Sequence, residues 1–218
     1  SQTILLPDAR GEVKRKDFNE QPSLFDTPID AKNISNTPHK YFLIDTPEKR
    51  KELIDLLLTQ PSVSFDTETT GTDANLADLV GISFSIKVGE GYYIPVPEDR
   101  TEAQAIVDEF RIILENENIA KIGQNIKYDM LVFKWYDVQV KGKLFDTMLA
   151  HYLIDPDTRH NMDILSENYL GYTPISITTL IGAKGKGQGN MRDVPVENVL
   201  DYAAEDADIT LQLKYILE

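Results

Sequence analysis

The chain has no cysteine, one tryptophan and three histidines among its 218 residues. The first absence removes disulfides, thiolate metal sites and cysteine nucleophiles together. His39, His151 and His160 lie far apart in sequence and offer no HExxH-type ligand pair. No apolar run approaches the roughly 18 residues that a membrane span needs. Charges interrupt the N-terminal stretch, and it lacks the apolar segment of a signal peptide. Positive charge is scarce too: 22 Lys and Arg against 36 Asp and Glu leave a net charge of −14. Such a surface repels polyanions at long range, so the chain is not expected to coat duplex DNA or an acidic membrane by itself. It leaves open a local site whose acids hold divalent cations. A soluble, cytoplasmic protein is the reading that follows.

What is present is ordinary globular material, 41% hydrophobic and 27% charged. At this length roughly 70% of the unfolded surface can be buried, so the core needs no covalent staples. The chain starts at Ser1 without a methionine and stops at Glu218 inside a helical pattern, which suggests a piece of something longer. Residues 1–38 carry mixed charges, Pro7, Pro22, Pro28 and Pro38, and no sustained period. They read as a linker or N-terminal arm. Residues 39–218 read as one domain.

Within that domain the patterns predict strands at 41–45, 63–69, 79–86, 91–96 and 120–123. A helix follows Pro47 with Thr46 as its cap, running to about Gln60. A second helix covers 101–117, with Ala105, Ile106, Phe110, Ile113 and Leu114 on one stripe. Further helices are expected at 125–135, at 147–153 behind Asp146, at 163–170, and from 196 to the end. Strands come first and helices dominate afterwards, which points to a mixed α/β sandwich. The loop 182–193 has four glycines and three basic residues. It lacks the GxxxxGK[ST] order of a nucleoside triphosphate site.

Three short segments concentrate the chemistry. In Asp66-Thr67-Glu68 the carboxylates stand at i and i+2, so on a strand both face one side and can reach one ion. Asn125 and Asp129 are four apart, and so are Tyr202 and Asp206; on helices each pair is stacked one turn apart. Taken singly each pattern is commonplace, and a solvated rim explains it. Their conjunction is not.

Asp66-Thr67-Glu68-Thr69, Gly123-Gln124-Asn125-Ile126-Lys127-Tyr128-Asp129 and Tyr202-Ala203-Ala204-Glu205-Asp206-Ala207-Asp208 resemble the three exonuclease motifs of the DEDD superfamily, in its tyrosine branch. They are most similar to the 3′–5′ proofreading exonuclease domains of bacterial, family A, DNA polymerases I. Leu79-Val80-Gly81-Ile82-Ser83-Phe84, Phe145-Asp146-Thr147-Met148-Leu149 and Arg159-His160-Asn161-Met162-Asp163 extend the resemblance, which covers about residues 40–218.

The resemblance implies a ribonuclease H-like α/β fold: a mixed sheet of about five strands, one antiparallel, flanked by helices. It implies two divalent metal ions, Mg²⁺ with Mn²⁺ as a substitute, acting on single-stranded or frayed DNA 3′ ends. Asp66 would bridge both ions, Glu68 and Asp206 would complete the site that activates water, and Asp129 would hold the second ion largely through water. Tyr202 would orient the attacking water. Thr67, Gln124 and Asn125 would touch the terminal nucleotides. Lys127 and Arg159 are candidates for phosphate contacts or plain solvated cations, and the loop bearing Lys184, Lys186 and Arg192 either guides a single strand or is a flexible surface loop. The implied partner is a C-terminal polymerase domain, with the fragment itself monomeric and the protein bacterial. A wedge leucine and a stacking phenylalanine of well-known members are replaced by Thr72 and Ile177.

Other features take plainer readings. Trp135, Tyr92, Tyr93, Tyr128 and Phe133 are expected in the core or at its edge, His160 in a structural role, and Glu205 and Asp208 on solvated helix faces. Two alternatives to a proofreading exonuclease stay open: a ribonuclease D-like RNA exonuclease and a non-catalytic module of the same fold.

Overall fold

The computed structural model describes residues 31–218, with the backbone of two short strands before them. It divides the chain into two units, Ser1–Ala31 and Lys32–Glu218. In the first, β1 (Leu6–Pro7) pairs antiparallel with β2 (Val13–Lys14). The rest of the arm up to residue 30 lies outside the described residues. Residues 32–38, read with the arm in the sequence, belong to the larger unit, where Lys32 bridges Tyr172.

In the larger unit, β3 (Lys40–Leu43) leads to α1 (Pro47–Leu58), whose first turn is capped by the Thr46 hydroxyl accepting from the Lys49 amide. Then come β4 (Ser62–Thr69), β5 (Leu79–Lys87) and β6 (Glu90–Pro95). Helix α2 (Arg100–Leu114) is capped by Asp99. It buries Ala103, Val107, Phe110, Ile113 and Leu114, so at its start the inward stripe is Ala103 and Val107 rather than Ala105 and Ile106. Strand β7 (Ala120–Gly123) and α3 (Ile126–Lys134) follow, then β8 (Leu144–Asp146) and α4 (Thr147–Ile154). The helix expected at 163–170 is α5 (Met162–Leu165) running into a π turn at Ser166–Leu170. Helix α6 (Ile177–Ile181), a 3₁₀ turn at Met191–Asp193 and the long α7 (Val196–Leu217) complete the chain.

The sheet order is β3-β6-β5-β4-β7-β8. Only β5 runs antiparallel to its neighbours; the others are mutually parallel. All five strands read from the sequence are there. The sixth, β8, has three residues, too few to show a period.

The two faces of the sheet differ in kind. On one, Val63, Phe65, Ile82, Phe84 and Ile94 pack with α1, α2 and α3, and the rings of Phe65, Phe84, Phe110 and Phe133 form a chain with centroids 5.5–6.5 Å apart. On the other, β4 and β5 pair small or acidic residues: Ser64 with Ser85, Asp66 with Ser83, Glu68 with Gly81. Helix α7 lies across this second face through Ala203, Ala204 and Ala207, all fully buried. The approach is so close that a Cβ on Gly91 would sit 2.6 Å from the Ala204 carbonyl oxygen. Small residues on both sides let a polar helix segment come down onto a strand end.

Candidate active site

Alternation on β4 sends Val63, Phe65 and Thr67 to the aromatic face and Ser64, Asp66 and Glu68 to the α7 face. A β-bulge between Glu68 and Thr69 ends the regular pairing, a common feature beside sites. Asp206 comes down from α7, and one oxygen each from Asp66, Glu68 and Asp206 lies within 4.8 Å of the others. Glu68 and Asp206 are buried, yet Glu68 Oε1 and Asp206 Oδ1 have no hydrogen-bond partner. Among the described residues no Lys or Arg forms an ion pair with any of the three. Buried carboxylates without donors or cations are costly. They are what an all-oxygen site for a hard divalent cation leaves when described as protein alone.

Asp129 stands apart from this trio. It projects from α3 on the Thr67 side of the strand end, and its Oδ1 accepts from both the Thr67 amide and the Thr67 hydroxyl. It is buried and close enough for its charge to act on Glu68. The structure thus gathers three of the four expected acids tightly and holds the fourth at the margin.

The electrostatics follow from that crowding. Burial pushes the Asp66 carboxyl up to about 7. Burial raises Glu68 well above the carboxylate range, helped by the charges of Asp66 and Asp129. Asp206 rises through burial and then Asp66, Glu68 and Glu205, and Asp129 through burial and then Asp66. Desolvation and like charge act together, and either a proton or a cation relieves them. The Tyr202 phenol, one turn before Asp206, is pushed far up by burial and by the Asp206, Glu68 and Asp66 charges.

Local structure explains how motif residues reach their posts. Asn125 adopts the left-handed conformation, φ 60°, which asparagine tolerates better than most residues. Its side chain does not cap α3. Asp146 does so from outside, accepting from the amides of Asn125 and Ile126 while also capping α4 through Met148 and Leu149. One carboxylate therefore fixes two helix starts.

A family model described as a 3′–5′ exonuclease matches residues 41–218. The chain belongs to the DNA polymerase A-type 3′–5′ exonuclease family. DNA polymerase I of Pseudomonas aeruginosa is 39% identical over 165 residues, 71% of this chain and 18% of that polymerase. DNA polymerase I of Borreliella burgdorferi is 34% identical over 217 residues, 96% of this chain and 23% of that one. The chain thus spans about a fifth of the length of these curated relatives. Among solved structures, Escherichia coli RNase D, an exoribonuclease, superposes with a TM-score of 0.63 at 19% identity, over 82% of this chain and 44% of that one. That likeness speaks to the fold, which is ribonuclease H-like.

The remaining expectations for this exonuclease domain fare unequally. Lys127, Arg159, Lys184, Lys186, Thr72 and Ile177 are exposed. Gln124 is turned inward: its amide donates to the His160 carbonyl and its oxygen accepts from Thr147, so its side chain is engaged within the protein rather than held out to a nucleotide. Arg192 corrects the picture of a free basic loop, because its guanidinium donates to the carbonyls of Val96 and Leu79. Glu205 and Asp208 are not solvated. Glu205 is buried and accepts from the Tyr172 hydroxyl and the Ile175 amide. Asp208 is buried and accepts from Tyr41, the Gly89 amide and Gln212. Helical spacing alone put them on other faces than Asp206, but α7 is covered on several sides, so those faces are interior too.

Tyr93 and Phe133 lie in the core, Tyr92 and Tyr128 at its edge. Trp135 does not: it is 58% exposed, with its indole N–H donating to the Ala74 carbonyl. His160 has a structural partner, its Nδ1 lying 2.7 Å from Nδ1 of the buried His151. Two of these tyrosines also border the site, a role the sequence reading did not give them. Tyr93 stacks over Gly81, the cross-strand partner of Glu68, and walls that side of the site. Tyr128 bonds Thr69 and Gly71, fixing the chain just after the strand end that carries Asp66 and Glu68. No spacing rule flags either one.

Proposed function

We propose that the chain is the proofreading module of a bacterial, cytoplasmic DNA polymerase I, removing nucleotides from single-stranded or frayed DNA 3′ ends. The observation that carries this reading is the convergence of Asp66, Glu68 and Asp206, with one buried, unpartnered oxygen each on Glu68 and Asp206. Those three would hold one divalent ion, and Asp129 with Asp66 a second; Mg²⁺ suits the all-oxygen set, and Mn²⁺ would serve. Bound there, the ions would acidify the attacking water and offset the charge that gathers on the phosphate as its bond breaks.

The chain's own groups do the rest. Tyr202, its phenol pushed up by burial and the neighbouring acids, would orient a water by hydrogen bonding rather than take its proton. Thr67 clamps Asp129 through two bonds and so fixes where the outer carboxylate stands. Asp146 sets the start of α3, and the left-handed Asn125 leaves its own side chain outside the cap, available to a terminal nucleotide. Lys127 and Arg159 are exposed cations that would meet backbone phosphates. The acidic surface predicts weak binding of DNA by the fragment alone. A polymerase domain in the same chain would supply the missing effective concentration of the primer end.

The test is digestion of matched 5′-labelled single-stranded DNA and RNA oligomers in Mg²⁺ or Mn²⁺. Stepwise shortening of DNA from its 3′ end is expected, with a loss on the order of 10³-fold or more in Asp66→Ala. Faster attack on RNA would favour a ribonuclease D-like enzyme. A folded preparation with no metal-dependent hydrolysis would leave a non-catalytic module.

A further inference from the structure

Helix α4, TMLAHYLI, is built the wrong way round for a surface helix. Its inward positions are polar: Thr147 and His151 are buried, the latter bonded to His160 and Tyr169. Its outward positions are apolar. Leu149, Tyr152 and Leu153, at i, i+3 and i+4, are 56%, 51% and 75% exposed, and Ile154 beside them is 51% exposed. The outer faces of α1 and α2 instead carry ion pairs such as Lys51–Asp55 and Arg111–Asp108. Nothing in the site described above uses the outer side of α4.

Four such side chains form a patch on the order of several hundred Å², a size that on soluble proteins marks an interaction surface. Its chemistry narrows the occupant. Three of the four side chains are aliphatic and the helix bears no lysine or arginine, whereas nucleic acid is held by cations and stacked on aromatic rings. A second copy would bring another −14 charges against the first. The patch also falls short of the roughly 800 Å² per partner usual for a stable separate complex. A domain covalently joined to this one needs neither that area nor overcomes that repulsion unaided, because linkage raises its effective concentration. The relatives supply such a domain, since this chain matches only 18% and 23% of the two polymerases. The C-terminal turn of α7 lies next to this region, with Leu213 and Leu217 in one cluster with Phe145 and Ala150.

We propose that the solvent-facing side of α4 (Leu149, Tyr152, Leu153 and Ile154) is the surface against which the polymerase part of the parent chain packs. This rests on the reading of the chain as a proofreading module. Because the chain has no cysteine, Leu153→Cys places a thiol at the centre of the patch, at a position exposed enough not to disturb folding. N-ethylmaleimide modification at position 153, followed by peptide mass, is compared between the 218-residue chain and the full polymerase that contains it, with Lys51→Cys as the exposed control. The thiol at 153 is expected to react about tenfold or more slowly in the full polymerase, as a covered side chain does, while position 51 reacts alike in both. Equal rates at 153 would overturn the proposal. So would slowing in the isolated chain that grows with its concentration, which would assign the face to a second copy. Slowing only when a single-stranded oligonucleotide is added would assign it to nucleic acid and overturn it equally. The digestion assay reports separately on the proofreading reading, so equal rates at 153 beside active 3′-end hydrolysis would remove the docking surface and leave the function standing.

Discussion

Helix α7 carries three buried acids within four residues, and they are in opposite situations. Glu205 and Asp208 each accept hydrogen bonds from donors on other elements, from Tyr172 and Ile175 in one case and from Tyr41 and Gly89 in the other, with Gln212 of the same helix added to Asp208. Asp206 between them has an oxygen with no donor and faces two more acids. All three are raised by burial, but protein donors pull Glu205 and Asp208 back down. Asp206 is opposed mainly by Asp66 and Glu68. Burial alone therefore does not mark a functional acid. The sign of what surrounds it does: donors make a brace, like charges make a vacancy for a cation.

The comparison breaks most visibly by substitution. Asp206→Ala should abolish 3′-end hydrolysis, by on the order of 10³-fold or more, since several kcal/mol of transition-state stabilisation would go with the ion proposed to sit there. Its thermal midpoint without divalent ions should hold or rise, because a repelling charge has gone. Glu205→Ala and Asp208→Ala should do the reverse. Each leaves a partly buried amide and a tyrosine hydroxyl without their acceptor, costing about 1–3 kcal/mol, with hydrolysis retained at temperatures where the variant is folded. Melting curves and digestion rates on the same preparations check both halves. Equal loss of activity in all three would erase the distinction.

Divalent ions and pH sharpen it. An acid whose folded pKa is raised binds its proton more tightly when folded, so its contribution to stability is full below the unfolded carboxylate pKa near 4. It is lost as pH climbs toward the folded value, about 7 for Asp66. The metal-free wild type should therefore lose stability from pH 4 to 7 relative to Asp66→Asn, and level off above. Mg²⁺ should restore the wild type by mass action and leave Asp66→Asn unchanged. Calorimetry with and without EDTA reads this out, and a flat difference between the two proteins would show that the trio is not under electrostatic load.

Legibility in the sequence followed the same divide. The strand carrying Asp66 and Glu68 was readable because a period of two is local, and the Thr46 and Asp146 caps because a cap is decided within one turn. The three motifs were readable through their resemblance to a known exonuclease family, since the spacing within each is commonplace. What escaped was set between elements. Glu205 and Asp208 looked solvated because helical spacing shows which residues share a face and not how many faces are covered. Gln124 looked free because its partners, His160 and Thr147, are distant in sequence. Trp135 looked buried by residue type, yet it pins a loop from outside. The inverted α4 was likewise invisible, since its apolar period says nothing about which side meets solvent.

A smaller effect is expected where α7 meets the sheet. In Gly91→Ala the new methyl would stand 2.6 Å from the Ala204 carbonyl oxygen, so helix or strand must shift. Overpacking of that kind costs about 1–3 kcal/mol. Because Asp206 rides on the same helix, Mg²⁺-dependent activity should fall together with the thermal midpoint, whereas the Asp206 substitution separates the two. Titrating Mg²⁺ against activity checks this: Gly91→Ala should need more ion to reach half its own maximum.

The smallest effect concerns Gln124, whose side chain is engaged within the protein. Gln124 was expected at the substrate, but its amide group joins the His160 carbonyl to the Thr147 hydroxyl. Thr147 keeps a second bond, to the Gly123 carbonyl, so Gln124→Ala should cost only about 1 kcal/mol of stability and leave KM for a DNA 3′ end within a few-fold of wild type. Arg159→Ala should show the opposite signature: unchanged melting, a raised KM, and a shallower dependence of KM on salt as one phosphate contact disappears. Steady-state kinetics at two ionic strengths separates them. A raised KM with unchanged melting in Gln124→Ala would mean that the amide leaves its internal bonds when substrate arrives, and the line drawn between bracing and working residues would then have to move by one side chain.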